Sequence, residues 1–273
     1  MDEKRQRFAK DKKSVSHRPY PASQREEEVA EGIVWGRNAV KELLATNRGV
    51  DKIMTARGDR DGSISMLVAM AIERKIPVLE VDRKKLDQMT AGAAHQGIVA
   101  MTPMREYSTV DDILNYAKEK GEAPLIAVCD GVEDPHNLGA MIRSAECAGF
   151  HGMIIPKRHA ATLTATVAKA SAGAIEHLRI AKVTNLPTTI DELKEKGVWV
   201  YGADMEGGVY YETDLCGAVA IVMGNEGKGI SRLVEEKCDF KISIPLYGNL
   251  NSMNVSAAAA VLFTEAAKQH HKK

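Results

Sequence analysis

The sequence lacks long hydrophobic runs, because its longest apolar segment, residues 257–263, is far shorter than the roughly 18 residues that cross a membrane. It also lacks the apolar core of a signal peptide, since its first residues, MDEKRQRFAKDKKS, are mostly charged or polar. We therefore expect a soluble, cytoplasmic protein with no membrane partner.

Cysteine is scarce as well. The chain has four cysteines, and none of them forms a C-x-x-C pair or has a histidine at zinc-ligand spacing. This pattern argues against a structural zinc site and a disulfide framework, and no metal is expected. We interpret the cysteines as small buried hydrophobic residues: Cys129, Cys147, Cys216 and Cys238.

The chain has no net charge to indicate a polyanionic partner, since 37 basic residues balance 37 acidic ones. The distribution is uneven, because residues 1–25 hold eight basic and only three acidic residues. We predict a disordered basic arm over residues 1–28. Contact with a polyanion and simple solvation of this arm both stay open.

Two common phosphate-binding loops are also missing. The glycine five positions after Gly224 is Gly229, and Ile230 follows it where a Walker A loop requires lysine. No G-x-G-x-x-G opens a helix after the first predicted strand. These absences argue against a nucleotide hydrolase and an ordinary dinucleotide-binding fold.

The chain is long enough for two α/β units, and its hydrophobic content, 44% of 273 residues, is sufficient to form their cores. Apolar runs alternate with helical patterns over 29–104 and again over 123–273, and the charged segment 105–122 is interpreted as a linker with a short helix. In the second unit, continuous apolar runs separated by helices predict a parallel sheet covered on both faces.

Three loops of the second unit are rich in Gly, Asn or Pro: residues 130–143, 223–231 and 244–256. Each follows a predicted strand and leads into a predicted helix. Because ligands bind beyond the carboxyl ends of parallel strands, we expect the three loops to converge on one pocket.

Taken in order, the loops resemble the three signature motifs of the SpoU (TrmH-like) RNA 2'-O-methyltransferases. The first reads DPHNLG over 134–139 with Arg143 four residues on, the second GNEG over 224–227, and the third SMNVS over 252–256. The segments GRNAVKELL and HQGIVA resemble the substrate-binding domain of the RlmB-like branch, so the resemblance covers roughly residues 30–268. One departure is Met253, where leucine is usual, a volume-conserving change.

The resemblance implies a C-terminal SPOUT-type α/β domain with a deep trefoil knot and a small N-terminal domain, like ribosomal protein L30e, that binds RNA. It further implies a homodimer that uses S-adenosyl-L-methionine to methylate a ribose, in this branch on a guanosine of 23S ribosomal RNA. Two alternatives stay open: the same reaction on transfer RNA, and a non-catalytic knotted protein that binds RNA or assists ribosome assembly.

The resemblance also assigns catalytic residues. Arg143 is the family residue proposed to activate the ribose hydroxyl, but a guanidinium is a poor base. We favour a role in which Arg143 binds a neighbouring phosphate and stabilises the developing alkoxide. Asn137, Glu226, Ser252 and Asn254 complete the candidate set. A surface position on a helix is the alternative for Arg143. Helix capping is the alternative role for the two asparagines and the serine, and a solvated turn position is the alternative for the glutamate.

For the cofactor, the resemblance points to backbone groups near Gly224, Ile244 and Met253, with Ala203 beside them. Core packing is the alternative role of the Ile244 and Met253 side chains. In the N-terminal unit, Arg37 and Asn38 are candidates for RNA contact, with a solvated surface as the alternative. The scattered histidines are interpreted as structural.

Overall fold

The computed structural model describes residues 32–59, 61–103 and 105–271. The basic arm predicted over residues 1–28 lies outside these residues. In the described part, no helix is both long and apolar enough to cross a membrane.

The N-terminal unit is a four-stranded sheet with helices against it. Its elements are β1 (Ile33–Trp35), α1 (Arg37–Ala45), β2 (Lys52–Ala56), α2 (Gly62–Glu73), β3 (Val78–Val81), α3 (Arg83–Met89) and β4 (Ile98–Met101). The strand order is β1-β4-β2-β3, in which β4 runs antiparallel to β1 and β2 while β2 and β3 are parallel. Fully buried Val40, Leu43 and Ile53 help to form the core between α1, α2 and the sheet.

The connector carries α4 (Val110–Lys120), whose start is fixed by a capping box between Thr109 and Asp112. After it come the elements of the C-terminal unit: β5 (Leu125–Cys129), α5 (Pro135–Cys147), β6 (Gly152–Pro156), α6 (Ala165–Ala170), β7 (Arg179–Val183), α7 (Leu186–Glu195), β8 (Trp199–Val209), β9 (Val219–Met223), α8 (Arg232–Glu235), β10 (Phe240–Ser243) and α9 (Val255–His270). A short 3-10 helix, Ala174–Glu176, precedes β7.

The sheet of the C-terminal unit has the order β10-β8-β9-β5-β6-β7, and every neighbouring pair is parallel. This confirms the predicted parallel sheet. The central strands β5 and β9, with the sequences LIAVC and VAIVM, are buried along their whole length. A strand covered by helices on both faces needs such a continuous apolar run, which explains why these segments do not alternate between polar and apolar residues.

The four cysteines do not share one environment. Cys129 is buried as predicted, and burial raises the pKa of its thiol to about 12. The prediction was wrong for Cys147 and Cys216, which are exposed. Cys147 is the last residue of α5, where the side chain faces a groove on the surface.

A buried carboxylate joins the two units. Glu176, whose side chain is only 2% exposed, lies 2.8 Å from Arg48 Nη1 of the N-terminal unit and 3.0 Å from Arg105 Nη1 of the connector. Arg48 also donates to the Pro103 carbonyl at 2.8 Å. Burial lowers the pKa of the Arg105 guanidinium, while the Glu176 carboxylate favours its charged form. This ion triad fixes the N-terminal unit against the C-terminal unit.

We expect Glu176→Gln to destabilise the protein by about 3 kcal/mol, because it leaves two partly buried guanidinium groups without a counterion. Urea denaturation measures the loss, and protease cleavage within residues 102–108 should become faster. The control is Glu192→Gln, the same change at an exposed residue of α7. Equal stability of the two variants would contradict a role for the triad.

Candidate functional site

The three loops singled out from the sequence follow β5, β9 and β10. Because the sheet is entirely parallel, all three lie at its carboxyl edge. Hydrogen bonds between their side chains and backbones connect the first loop to the second, and the third loop to both. The three loops therefore lie together as predicted, but the single pocket expected of all three is present only in part, because the cavity described below is lined by the second and third loops.

Asn225 holds the second loop in shape and fastens it to the first. Its Nδ2 donates to the Gly131 carbonyl at 2.8 Å, and its Oδ1 accepts from the amide of Gly227 at 2.9 Å. Its backbone exchanges two hydrogen bonds of 2.9 Å with Gly229, which closes the loop. Asn225 lies within the second motif, but the sequence analysis predicted no role for it. An asparagine that opens a glycine-rich turn was the available signal.

Gly224 allows the second loop to fold back on itself. A Cβ atom at this position would lie 2.3 Å from the Gly229 carbonyl carbon and 2.4 Å from the Ile230 nitrogen. Both neighbours are backbone atoms, so they cannot move aside as a flexible side chain would. Only glycine fits this close approach.

Asn254 joins the third loop to the other two. Its Oδ1 accepts from the amides of Ser256 at 3.0 Å and Ala257 at 3.2 Å, which makes Asn254 the N-cap of α9. Its Nδ2 donates to Asn137 Oδ1 at 3.0 Å and to Glu226 Oε1 at 2.5 Å. Helix capping and a link between loops are thus performed by the two ends of one amide.

Asn137 and Glu226 meet at Asn254 from different loops. Asn137 is buried within the first turn of α5, and its N-cap interpretation was wrong, because Asp134 caps that helix by accepting from the His136 amide at 2.8 Å. Glu226 is exposed and also accepts from the Val255 amide at 3.4 Å. We call Asn137, Glu226 and Asn254 the amide–carboxylate cluster.

The structure does not bring Arg143 into this cluster. Arg143 lies six residues after Asn137, which places it about 120° away around α5, on the exposed face of the helix. It lines a groove of about 620 Å³ between α5 and α9, together with Ala148, Thr264 and Lys268. In the described ranges, no hydrogen bond or ion pair engages its guanidinium group.

A cavity of about 480 Å³ lies beside the cluster. All four residues predicted for the cofactor line it: Ala203, Gly224, Ile244 and Met253. Buried Met223, Ile242 and Leu262 contribute apolar surface, and Glu226 and exposed Ser252 lie on its polar side. Ser252 is not a helix cap, so that interpretation was wrong. The first loop does not line this cavity, although hydrogen bonds hold it against the second and third loops.

The two RNA-contact candidates of the N-terminal unit differ. The Arg37 side chain is engaged within its own unit, because Nη1 donates to Asp61 and Ser63 at 2.8 Å and Nε donates to the Gln96 carbonyl at 3.2 Å. The backbone hydrogen bond from Ser63 and the Arg37 guanidinium both lower the pKa of Asp61. Asn38 is exposed beside it.

The buried histidines have structural partners, in agreement with the sequence interpretation. His151 accepts from the Leu125 amide at 3.0 Å through Nδ1, and its Nε2 lies 3.1 Å from Glu122. Burial lowers the pKa of His151. His95 accepts from the Gly97 amide at 3.0 Å. Over the residues that the structure describes, no three His, Cys, Asp or Glu side chains are placed to hold a metal ion.

We expect Gly224→Ala to destabilise the protein by about 1–3 kcal/mol, because the added methyl group forces the second loop open. The midpoint of urea denaturation reports the change. Gly248→Ala in the third loop is the control, since within the described part of the chain no heavy atom beyond those of its chain neighbours lies within 4 Å of its Cβ position. Matching midpoints for the two variants would show that the Gly224 loop has room to adjust.

Comparison with known proteins adds independent evidence. Residues 124–264 match the model of the SpoU rRNA Methylase family, and residues 33–108 match the model of an RNA 2'-O ribose methyltransferase substrate-binding domain. YacO of Bacillus subtilis, named as a TrmH family tRNA/rRNA methyltransferase, is 45% identical over 87% of this chain and 96% of its own. A Staphylococcus aureus protein with the same family name is 44% identical over 88% of this chain and 96% of its own.

A solved structure shares the fold. The SpoU methyltransferase AviRb from Streptomyces viridochromogenes, crystallised with its cofactor AdoMet, superimposes with a TM-score of 0.72 at 22% identity over 87% of this chain and 89% of its own. The fold, the order of the three loops and the extent of these matches agree. The chain therefore belongs to the SpoU family of RNA methyltransferases, with a substrate-binding domain in front of the methyltransferase domain.

Proposed function

We propose that this protein transfers a methyl group from S-adenosyl-L-methionine to a ribose 2'-hydroxyl of RNA, and that its target is a guanosine of 23S ribosomal RNA. The observation that carries the proposal is the amide–carboxylate cluster, which gathers three family motifs beside a cavity of ligand size. A family methyltransferase whose motif side chains contact one another in this way retains the architecture that catalysis needs.

The cavity suits the cofactor in size and lining. Its volume of about 480 Å³ is in the range of small-molecule sites, and its mixed lining combines apolar side chains with polar and charged ones, among them Asp204, Glu226, Lys228 and Glu235. Ile244, Met253 and Ala203 would hold the adenosine part, and Gly224 keeps the loop backbone close to it. When bound, S-adenosyl-L-methionine supplies a methyl group on a positively charged sulfur. AviRb, with the same fold, was crystallised with this cofactor.

The chain's own residues must activate the sugar hydroxyl, which is a poor nucleophile until its proton is removed. Arg143 does not accept this proton, because a guanidinium stays charged at neutral pH. Because Arg143 lies outside the cavity of its own chain, we propose that it binds the adjacent phosphate and stabilises the developing alkoxide across the interface of a dimer, while phosphate or water accepts the proton. Glu226 and Asn254 keep the second and third loops in place, and Ser252 orients the RNA at the cavity.

The position of Arg143 supports a homodimer. A groove lined by Ala148, Gly149 and Ala260 lets another helix approach closely, and Arg143 lies along it. We propose that two copies pair through α5 and α9, which places Arg143 at the seam between them. Light scattering at the mass of two chains, with Cys147 protected from alkylation, supports this pairing. A single-chain mass with reactive Cys147 contradicts it.

The predicted knot agrees with the path of the last two elements. Strand β10 lies at the sheet edge beside β8, whereas α9 returns across the sheet to pack on β5, β9 and α5. We propose that the chain threads through the preceding loops on this return, within a unit spanning 123–273. We further propose that residues 29–104 form an L30e-like unit that binds RNA and that residues 105–122 are a linker. The protein would act in the cytoplasm.

Methyl transfer to RNA tests the proposed function. Purified protein with radiolabelled cofactor should label ribosomal RNA, and mapping should locate the mark on one guanosine of 23S RNA. Labelling of transfer RNA alone would show that transfer RNA, rather than ribosomal RNA, is the substrate. RNA binding without label would favour the non-catalytic alternative.

We expect Asn254→Ser to lower methyl transfer at least about tenfold, equivalent to about 1.4 kcal/mol in the barrier. Serine preserves the N-cap of α9, but its short side chain carries a single O–H and cannot replace the amide that donates to both Asn137 and Glu226. Asn185→Ser is the control, because Asn185 caps α7 by accepting from the Thr188 amide at 3.3 Å, outside the site. Equal activity of the two variants would remove the cluster from the mechanism.

We expect Arg143→Lys to lower methyl transfer roughly tenfold to hundredfold, or about 1.4–2.7 kcal/mol. Lysine keeps the charge but loses the planar fork that binds phosphate bidentately. Calorimetry should show unchanged cofactor affinity, since Arg143 does not line the cofactor cavity. Full methylation with unchanged RNA affinity would exclude Arg143 from the reaction.

A further inference from the structure

The carboxyl edge of the sheet continues beyond the three family motifs. From β5 the order runs to β6 and β7, away from the side of the sheet that holds the cofactor cavity. The loop after β6, residues 157–164, and Lys182 near the end of β7 lie on this far side. The proposed mechanism assigns these residues no role.

Hydrogen bonds place this loop next to the first family motif. The Ala161 amide donates to the Val132 carbonyl at 2.9 Å, which joins the β6 loop to the loop after β5. Farther along, the Leu163 amide donates to the Tyr107 hydroxyl at 3.2 Å. Lys182 Nζ lies 4.8 Å from the centre of the Tyr107 ring. Tyr107 therefore positions both the loop and the lysine.

Three cations in this region have no acidic partner. In the part of the chain that the structure describes, no carboxylate forms an ion pair with exposed Lys157, exposed Arg158 or Lys182. The nearby acid Glu133 lies 3.6 Å from His159 instead. The cations are consequently available to an external anion.

Two lysines elsewhere in the C-terminal unit differ. Lys194, in the last turn of α7, lies 2.7 Å from Asp239, and Lys237, shortly before β10, lies 2.7 Å from Asp191. Other exposed lysines of the described residues, such as Lys84 and Lys85, also lack an ion pair, so what distinguishes the three cations is their position beside the first family motif.

The N-terminal unit also contacts the region around Tyr107 and Lys182. A small cavity of about 210 Å³ between the units is lined by Ile33 and Val34 of β1, by Tyr107, by Thr162 and by Lys182. Lys182 therefore lies at the contact between the units, while Lys157 and Arg158 belong to the loop that continues to Thr162.

We propose that Lys157, Arg158 and Lys182 form a phosphate-binding ridge for the RNA backbone that flanks the target nucleotide. The ridge rests on the proposed function, because its position beside the first motif has meaning only if RNA enters that site. Each cation neutralises a phosphate and releases bound counterions, so the ridge contributes affinity and orientation rather than chemistry. It lies across the first motif from the cofactor cavity, and it therefore holds nucleotides next to the one that is methylated.

The test compares Lys157→Ala/Arg158→Ala with the wild type, using fluorescence anisotropy of a labelled single-stranded RNA of mixed sequence over a series of salt concentrations. The slope of log affinity against log salt should become shallower by about 0.7 for each phosphate that the variant no longer neutralises, or about 1.4 in total. Methyl transfer should show a raised KM for RNA with unchanged kcat and unchanged cofactor affinity. Lys157→Arg should keep the wild-type slope.

The control is Lys196→Ala/Lys237→Ala, which removes two positive charges that lie shortly before β8 and β10, at the amino edge of the sheet, at the cost of exposed ion pairs with Asp111 and Asp191 worth about 0–1 kcal/mol each. Its slope and KM should match the wild type. Equal slopes for the ridge variant and the wild type, or a fall in kcat at constant KM, would overturn the ridge. A wild type that binds RNA but transfers no methyl group would overturn the proposed function, while the slopes would still decide the ridge.

Discussion

The candidate site depends on a single side-chain amide. Asn254 caps α9 with its oxygen and holds Asn137 and Glu226 with its nitrogen. The start of a long helix, the first turn of another and a glycine-rich turn are therefore fixed relative to one another. Because a cap has defined geometry, the helix that packs the core also sets the position of the loops.

The cationic side chains of the C-terminal unit fall into two groups, those that form an ion pair and those that do not. Lysines that precede β8 and β10 are paired with aspartates, whereas the cations after β6 and in β7 are not. Exposed ion pairs stabilise a fold little, so pairing mainly removes positive potential from the surface. The unpaired cations after β6 and in β7 retain their positive potential beside the first family motif, where it would attract a polyanion.

Much of this arrangement could be predicted from the sequence. Continuous apolar runs gave the parallel sheet, and such a sheet brings the loops after β5, β9 and β10 to one edge. The cap of α5 was assigned to Asn137 although the Asp134-Pro135 pair signals an earlier start, since proline favours the first helical position. The surface position of Arg143 was one of the two roles that the sequence left open, whereas the exposure of Cys147 could not be foreseen, because it depends on how α9 packs against α5. Glu176 meets Arg48 and Arg105 from 128 and 71 residues away, a pairing that no local pattern indicates.

The Glu176 triad has a consequence for how a substrate is chosen. A carboxylate shared by guanidinium groups from two parts of the chain resists sliding of one unit over the other, because any shift exposes an unbalanced charge in a poorly hydrated contact. The distance between the substrate-binding domain and the cavity beside the cluster is then set within the protein itself. Under the proposed function, we infer that this fixed distance would select the sugar that lies at the matching separation from a bound feature of the RNA.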